Sequence, residues 1–224
     1  MSRKKVNMTS LKEQLAQHQA GFKDRASPER VALMEKATAS LFSSGIEQAS
    51  LQLGARMPTL SLPDAFGNNI SLQALNAFSP LVIVFYRGGW CPCCNLALRE
   101  WQRLLPLLHK AGGQLVAISA QTPEHSVSTV EKNQLSFTVL SDSNFEAARA
   151  FGLAFEMAPE LIALHASVDN DLPTIHGNGQ WMLPVPASYL IGKDGLVKYA
   201  HVDADYRRRA EPSEIIALLK DFAR

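Results

Sequence analysis

An α/β fold, with a central mixed sheet flanked by helices, is predicted by three observations. Continuous apolar, β-rich runs at residues 81–86, 115–119 and 187–191 alternate with stretches of helical period. Proline, glycine or polar turn residues bound these runs. Strands buried on both faces and separated by helices pair in parallel, whereas Lys193-Asp194-Gly195 between two strand-like runs marks an antiparallel hairpin.

The elements follow in order. Leu11 and Leu15 open a helical period near the N-terminus. A second helix is predicted from Ser27 as N-cap and Pro28 at the first helical position. Val31, Met34, Ala37 and Leu41 supply its apolar positions, and Gly45 ends it. Residues 1–50 are therefore read as a helical extension, packed on the domain at 51–224 or on a second subunit. Residues 57–64 are short and extended, and the Phe66-Gly67-Asn68-Asn69 turn returns the chain through Ile70 as a small hairpin. After the strand at 81–86 comes Gly88-Gly89, then a helix from about Asn95 to Lys110, bent at Pro106 and ended by Gly112-Gly113. A strand at 115–119, a helix at 123–133, a short strand at 138–140 and a helix at 145–151 follow. Residues 154–183 are read as an insertion with a helical piece, near the reactive centre or an interface. The strands at 187–191 and 196–201 form the hairpin, and Pro212-Ser213-Glu214 starts the last helix.

Composition narrows the function. The 224 residues are 46% hydrophobic and carry a net charge of +1, so no electrostatic footprint for nucleic acid is implied. Arg3-Lys4-Lys5 is a short terminal cluster, read as a solvated tail. No apolar run has the length of a membrane span, and no signal peptide is visible, so a reducing cytoplasm is expected. All three cysteines fall within residues 91–94, which is not a disulfide framework. No histidine stands at a ligand-like spacing to them, so neither a metal nor another cofactor is expected.

Cys91-Pro92-Cys93-Cys94 carries the chemistry. A buried strand runs into Gly88-Gly89-Trp90, and the cysteines open a helix. The free N–H groups of a helix start stabilise a thiolate, the attacking species in thiol exchange. Cys91 and Cys94 lie one turn apart on one side of that helix, whereas Cys93 turns away and is read as packing. Trp90 would cover the dithiol and shape access to it. Val185-Pro186, just before a strand, is read as a cis peptide beside the dithiol, exposing main chain to an incoming substrate. Arg207-Arg208-Arg209 is read as a solvated turn, and His165 and His176 as residues without a placed role.

These residues resemble the thioredoxin superfamily and, within it, the peroxiredoxin-like group of alkyl hydroperoxide reductases and thiol-specific antioxidants. The carriers are Val84-Phe85-Tyr86, Leu140-Ser141-Asp142, and Val185-Pro186-Ala187 leading to Ile191-Gly192-Lys193-Asp194-Gly195. The resemblance implies a thioredoxin-like fold, a hydroperoxide substrate, a thioredoxin or similar thiol reductant, and a homodimer. Peroxiredoxins carry Phe-Tyr followed by Pro-x-x-x-Thr-x-x-Cys. Counted from Phe85-Tyr86, Arg87 stands at that Pro, Cys91 at the Thr, and Cys94 at the peroxide-attacking Cys. The family's peroxide-binding Arg would fall near Pro186, so both it and the Thr are missing from their usual places. Arg87 could substitute from another direction. Three readings follow: a peroxidase cycling Cys94 and Cys91 through a disulfide, a thioredoxin-like disulfide oxidoreductase with Cys91 as nucleophile, and a redox sensor. Arg87, Trp90, Val185 and Pro186 are the expected substrate-binding residues.

Overall fold

The computed structural model describes residues 9–222; the Arg3-Lys4-Lys5 cluster lies outside them. The chain opens with helices α1 (Leu11–Arg25), α2 (Pro28–Ser43) and the short α3 (Ile46–Ala49). Ser10 and Glu13 form a reciprocal capping box at the start of α1, and Ser27 caps α2 with Pro28 in its first turn. A hairpin of β1 (Ser61–Pro63) and β2 (Asn69–Ser71) follows, then α4 (Leu72–Phe78). Helix α4 spans only two turns around Leu72, and its period is too short to read from sequence.

The central sheet comprises β3 (Leu81–Phe85), β4 (Gln114–Ser119), β5 (Thr138–Ser141), β8 (Ala187–Ile191) and β9 (Val197–Val202). Their spatial order is β5-β4-β3-β8-β9. The β3–β4 and β4–β5 pairs are parallel, while β3–β8 and β8–β9 are antiparallel. The predicted mixed sheet is thus observed, with Gly195 at φ 76° completing the hairpin turn.

Strand β3 is buried throughout and alternates between two apolar layers. Val82 and Val84 face α5 (Pro92–Lys110), with Leu98, Trp101 and Leu108. The same layer holds Leu11 and Leu15 of α1, and Ile215 and Leu219 of α10 (Pro212–Phe222). Leu81, Ile83 and Phe85 face the opposite layer, with Leu72, Ala147, Phe151 and Tyr189. Helix α1 is therefore part of the core, and its Lys12 N–H donates to Glu211 Oε1 at 2.6 Å beside α10.

Between β4 and β5 lies α6 (Pro123–Asn133), and after β5 comes α7 (Glu146–Ala150). The buried Asp142 accepts the N–H groups of Ala147 and Ala148 at 3.0 and 2.8 Å. Asp142→Ala leaves both amides without their partner, and the expected loss of unfolding free energy in urea titration is about 2 kcal/mol.

The 154–183 insertion is more ordered than its sequence suggests. β6 (Ala154–Glu156) pairs antiparallel with β7 (Met182–Pro184), enclosing α8 (Pro159–Ala166) and α9 (Leu172–His176). One expectation is overturned here: Val185–Pro186 is not cis, because no cis peptide occurs among the described residues. The segment passes from β7 straight into β8, and Val185 N–H donates to Leu153 O at 2.8 Å. An extended path between two strands needs no reversal, so the ordinary trans preference prevails. Pro106 lies inside α5 without ending it.

Candidate active site

The site forms where β3 ends and α5 begins. Gly88, at φ 149°, and Gly89 make a turn that no larger residue fits. A Cβ on Gly88 would stand 2.3 Å from Trp90 Nε1, and one on Gly89 2.3 Å from Thr129 Oγ1. Hydrogen bonds pin the turn to its neighbours. Gly89 N–H donates to Gln121 Oε1 at 2.7 Å, and Asn95 Nδ2 donates to Gly89 O at 2.8 Å. Asn95 is held in turn by Asn133 Nδ2 at 3.0 Å. Cys91 takes the N-cap position and Pro92 the first turn of α5, so the cysteines open the helix as expected.

Cys94 is wholly buried, and its surroundings are built for negative charge. The Arg87 N–H donates to its Sγ at 3.4 Å, and Arg209 Nη2 donates at 3.7 Å. Burial alone would push the Cys94 thiol up. A hydrogen bond from Cys91, the Arg209 charge, the Arg87 N–H and the Arg87 charge outweigh it and hold the thiol well below its ordinary value. Cys91 moves the opposite way, because it donates to Cys94 and is itself buried. Both directions favour the negative charge on Cys94 over Cys91.

Arg87 is buried, with its guanidinium 5.1 Å from the Trp90 ring centroid and 4.6 Å from that of Tyr206. Its Nε has no hydrogen-bond partner, and no carboxylate pairs with it among the described residues. Next to it opens a cavity of about 450 Å³. Cys91, Cys93, Trp90 and Arg87 line one side, and α1, α2 and α8 supply the others. Cys93, expected to turn away, borders this cavity with Cys91, because its α5 turn is roofed by α1. Burial nevertheless pushes its thiol up to about 11.

Residues 53–200 match the AhpC/TSA family. The chain belongs to the AhpC/TSA family. It is 27% identical to Peroxiredoxin Bcp of Escherichia coli K12 over 173 residues, covering 77% of this chain and 98% of that protein. The peroxidoxin BcpB of Mycobacterium tuberculosis superposes with a TM-score of 0.61 at 18% identity, over 76% of this chain and 97% of that one. The bacterioferritin comigratory protein of Xanthomonas campestris, studied for alkyl peroxide reduction, superposes with a TM-score of 0.58 at 23% identity, over 79% and 99%. The protein is thus a thiol-dependent peroxidase of the peroxiredoxin type, built on a thioredoxin fold.

Within this peroxiredoxin frame, the structure brings Cys91, Cys94, Arg87 and Trp90 together and places the other expected residues elsewhere. Val185 is buried in the layer behind the sheet, with Phe85 and Tyr189. Pro186 lines a separate small crevice beside Arg87 and Tyr206. The Arg207–Arg209 run is not the expected solvated turn. Arg208 is exposed, but Arg207 lines the main cavity while paired with Asp205, and Arg209 reaches Cys94. His165 also enters the site, packed edge-on 5.1 Å from Trp90, and burial and the Arg87 and Arg30 charges lower its pKa to about 4. His176 packs instead on Phe145. Arg209 is the neighbour of Cys94 that the sequence reading missed. Its position beside a helix cap gave no signal, since the contact spans 115 residues.

Proposed function

We propose that Cys94 is the peroxide-attacking sulfur and Cys91 the resolving one. The Cys94 thiolate attacks the terminal peroxide oxygen, which keeps its hydrogen and becomes the sulfenic acid. The O–O bond breaks, and the departing alkoxide or hydroxide takes a proton from water and leaves as an alcohol or water. Cys94 sulfenic acid then condenses with the Cys91 thiol, releasing water and forming the Cys91–Cys94 disulfide. The observation that carries this reading is the pair of donors on Cys94 Sγ, from Arg209 and the Arg87 main chain. Arg209 supplies, from the loop before α10, the cation that the family resemblance places near Pro186. Cys91 supplies the donor that the family takes from Thr.

Cys93 is a poor resolver for Cys94. Adjacent Cα atoms stand about 3.8 Å apart, closer than an ordinary disulfide spans. Cys91, one helical turn away, is better placed. A peroxide reaches Cys94 from the cavity, past Cys91 and Cys93. In this reading residues 1–50 cover the site, and 51–224 carry the chemistry. A thiol donor closes the cycle, thioredoxin being the one that the resemblance implies. The same resemblance implies a homodimer, and three unpaired thiols suit a reducing cytoplasm.

Cys91→Ser separates the two half-reactions. The serine hydroxyl can still donate to Cys94, so one equivalent of peroxide is consumed and dimedone traps a sulfenic acid on Cys94. Turnover with a thiol donor through the Cys91–Cys94 disulfide is lost. A dimedone adduct that instead requires Cys91, and forms in Cys94→Ser, assigns the attack to Cys91 and overturns the reading.

A further inference from the structure

The cavity beside the dithiol is larger than peroxide chemistry requires. Its volume of about 450 Å³ lies in the range that holds drug-sized ligands. It touches Cys91 and Cys93 but not Cys94, which sits behind them. A bulky molecule seated there meets Cys91 first. In the oxidised enzyme, Cys91 is the disulfide sulfur that such a molecule could attack.

The walls indicate its charge. Arg87 is only 6% exposed, with Nε unpartnered and no carboxylate on its guanidinium among the described residues. Arg30 of α2 stands at the rim, 5.8 Å from the Phe22 ring. Arg207 lines the cavity too, although Asp205 already pairs with it, and Asp169 is the carboxylate that borders it. His165 is neutral near pH 7 and adds no charge. Met34, Phe22 and Leu164 add apolar surface beside the polar His18, Gln19 and Asn170. The combination suits a small organic molecule with carboxylates on a partly apolar body.

Access argues against a folded protein in this place. Cys91 is 2% exposed. His18 and Phe22 of α1, Arg30 and Met34 of α2, and Leu164 and His165 of α8 stand around it. A thiol carried on a protein surface reaches it only if one of these helices moves away.

We propose that the cavity receives a low-molecular-weight thiol bearing carboxylates, which regenerates the enzyme by attacking Cys91 Sγ of the Cys91–Cys94 disulfide. This rests on the disulfide cycle proposed above. The donor thiolate forms a mixed disulfide with Cys91, and the S–S bond breaks toward Cys94, which leaves as a thiolate. Arg209 and the Arg87 N–H stabilise that leaving group, and a stable thiolate leaves faster. A second donor thiolate then attacks the donor sulfur of the mixed disulfide. It forms the donor disulfide and returns Cys91, which takes up a proton. Two donor thiols are oxidised for each enzyme disulfide reduced. Attack in the opposite sense would expel Cys91, which is buried and lacks the Arg209 and Arg87 N–H donors that Cys94 has, and so is the poorer leaving group. The peroxide and the donor thus occupy one cavity in turn.

The test uses the full-length protein oxidised with diamide, so that disulfide formation does not depend on peroxide. Peptide mapping verifies the Cys91–Cys94 bond. Stopped-flow fluorescence then follows reduction by glutathione, by its diethyl ester, and by reduced thioredoxin. Glutathione is expected to react at least about tenfold faster than the ester at low ionic strength, as expected for a cationic cleft. The gap narrows with added salt and in Arg30→Gln, an exposed position that the fold does not need. Acid-quenched samples carry glutathione on Cys91. Equal rates for glutathione and its ester overturn the proposal, as does thioredoxin outrunning glutathione at equal concentration, or glutathione found on Cys94. If the reduced protein fails to react rapidly with peroxide, the peroxidatic assignment of Cys94 falls. The donor preference of the diamide-made disulfide is read independently of that result.

Discussion

Cys94→Ser is expected to abolish rapid reaction with hydrogen peroxide, with a loss of about 10⁴-fold or more, the scale on which enzymes lose activity with their nucleophile. The two remaining thiols cannot compensate. Burial pushes the Cys91 thiol up even without its hydrogen bond to Cys94, and it pushes Cys93 up to about 11. The serine variant leaves Arg209 and the Arg87 N–H in place but gives them a hydroxyl that does not ionise near pH 7. Stopped-flow mixing of reduced protein with peroxide, followed by tryptophan fluorescence, measures the loss. A variant that keeps the wild-type rate would move the attack to Cys91 and with it the disulfide-oxidoreductase reading.

The second large effect is expected at Arg209. Arg209→Met removes the side-chain cation at Cys94 Sγ while keeping most of the bulk. Loss of one charge-stabilising donor at a reacting centre costs about 10²–10³-fold in rate. The pH profile identifies the cause. Burial opposes the Cys94 thiolate, and the Cys91 hydrogen bond, Arg209 and Arg87 overcome it, so the wild-type thiolate persists at neutral pH. Its rate falls only as pH drops through that lowered value. In Arg209→Met the same acid limb moves to higher pH, and Arg209→Lys restores part of the shift. Thiolate ultraviolet absorbance against pH reads it directly. The linkage has the corresponding sign. Because the folded value lies below the unfolded one, the thiolate stabilises the fold above the unfolded thiol range. That contribution is lost as pH falls through the folded value. An acid limb that stays in place in Arg209→Met would remove Arg209 from the chemistry.

The sequence carried the parts of this molecule that depend on neighbours along the chain. The apolar run of β3, the glycine turn, the Cys cluster at a helix start and the Ser27-Pro28 cap each act over a few residues, and each stands where it was expected. Parts made through space were not legible. Arg209 meets Cys94 across the core, and His165 meets Trp90 from the 154–183 insertion. Nothing local to either residue records those contacts. The Val185–Pro186 expectation failed for a related reason. A proline before a strand is compatible with either isomer, and the pairing of β6 with β7 keeps the path extended. The α1 helix was legible as a helix but not as a wall of the site, since Leu11 and Leu15 show only that one face is apolar.

The glycine turn has a consequence for how such a protein can change over generations. Gly88 and Gly89 leave no room for a side chain, and Gln121, Asn95, Asn133 and Thr129 hold the turn from several elements at once. Substitution there disturbs the reacting sulfurs. The chamber around them is assembled from α1, α2 and α8, which reach the turn only by packing. Mutations in those three helices can therefore alter which molecules enter while the sulfur chemistry stays intact. Selectivity can drift in this architecture without disturbing the turn that holds the sulfurs.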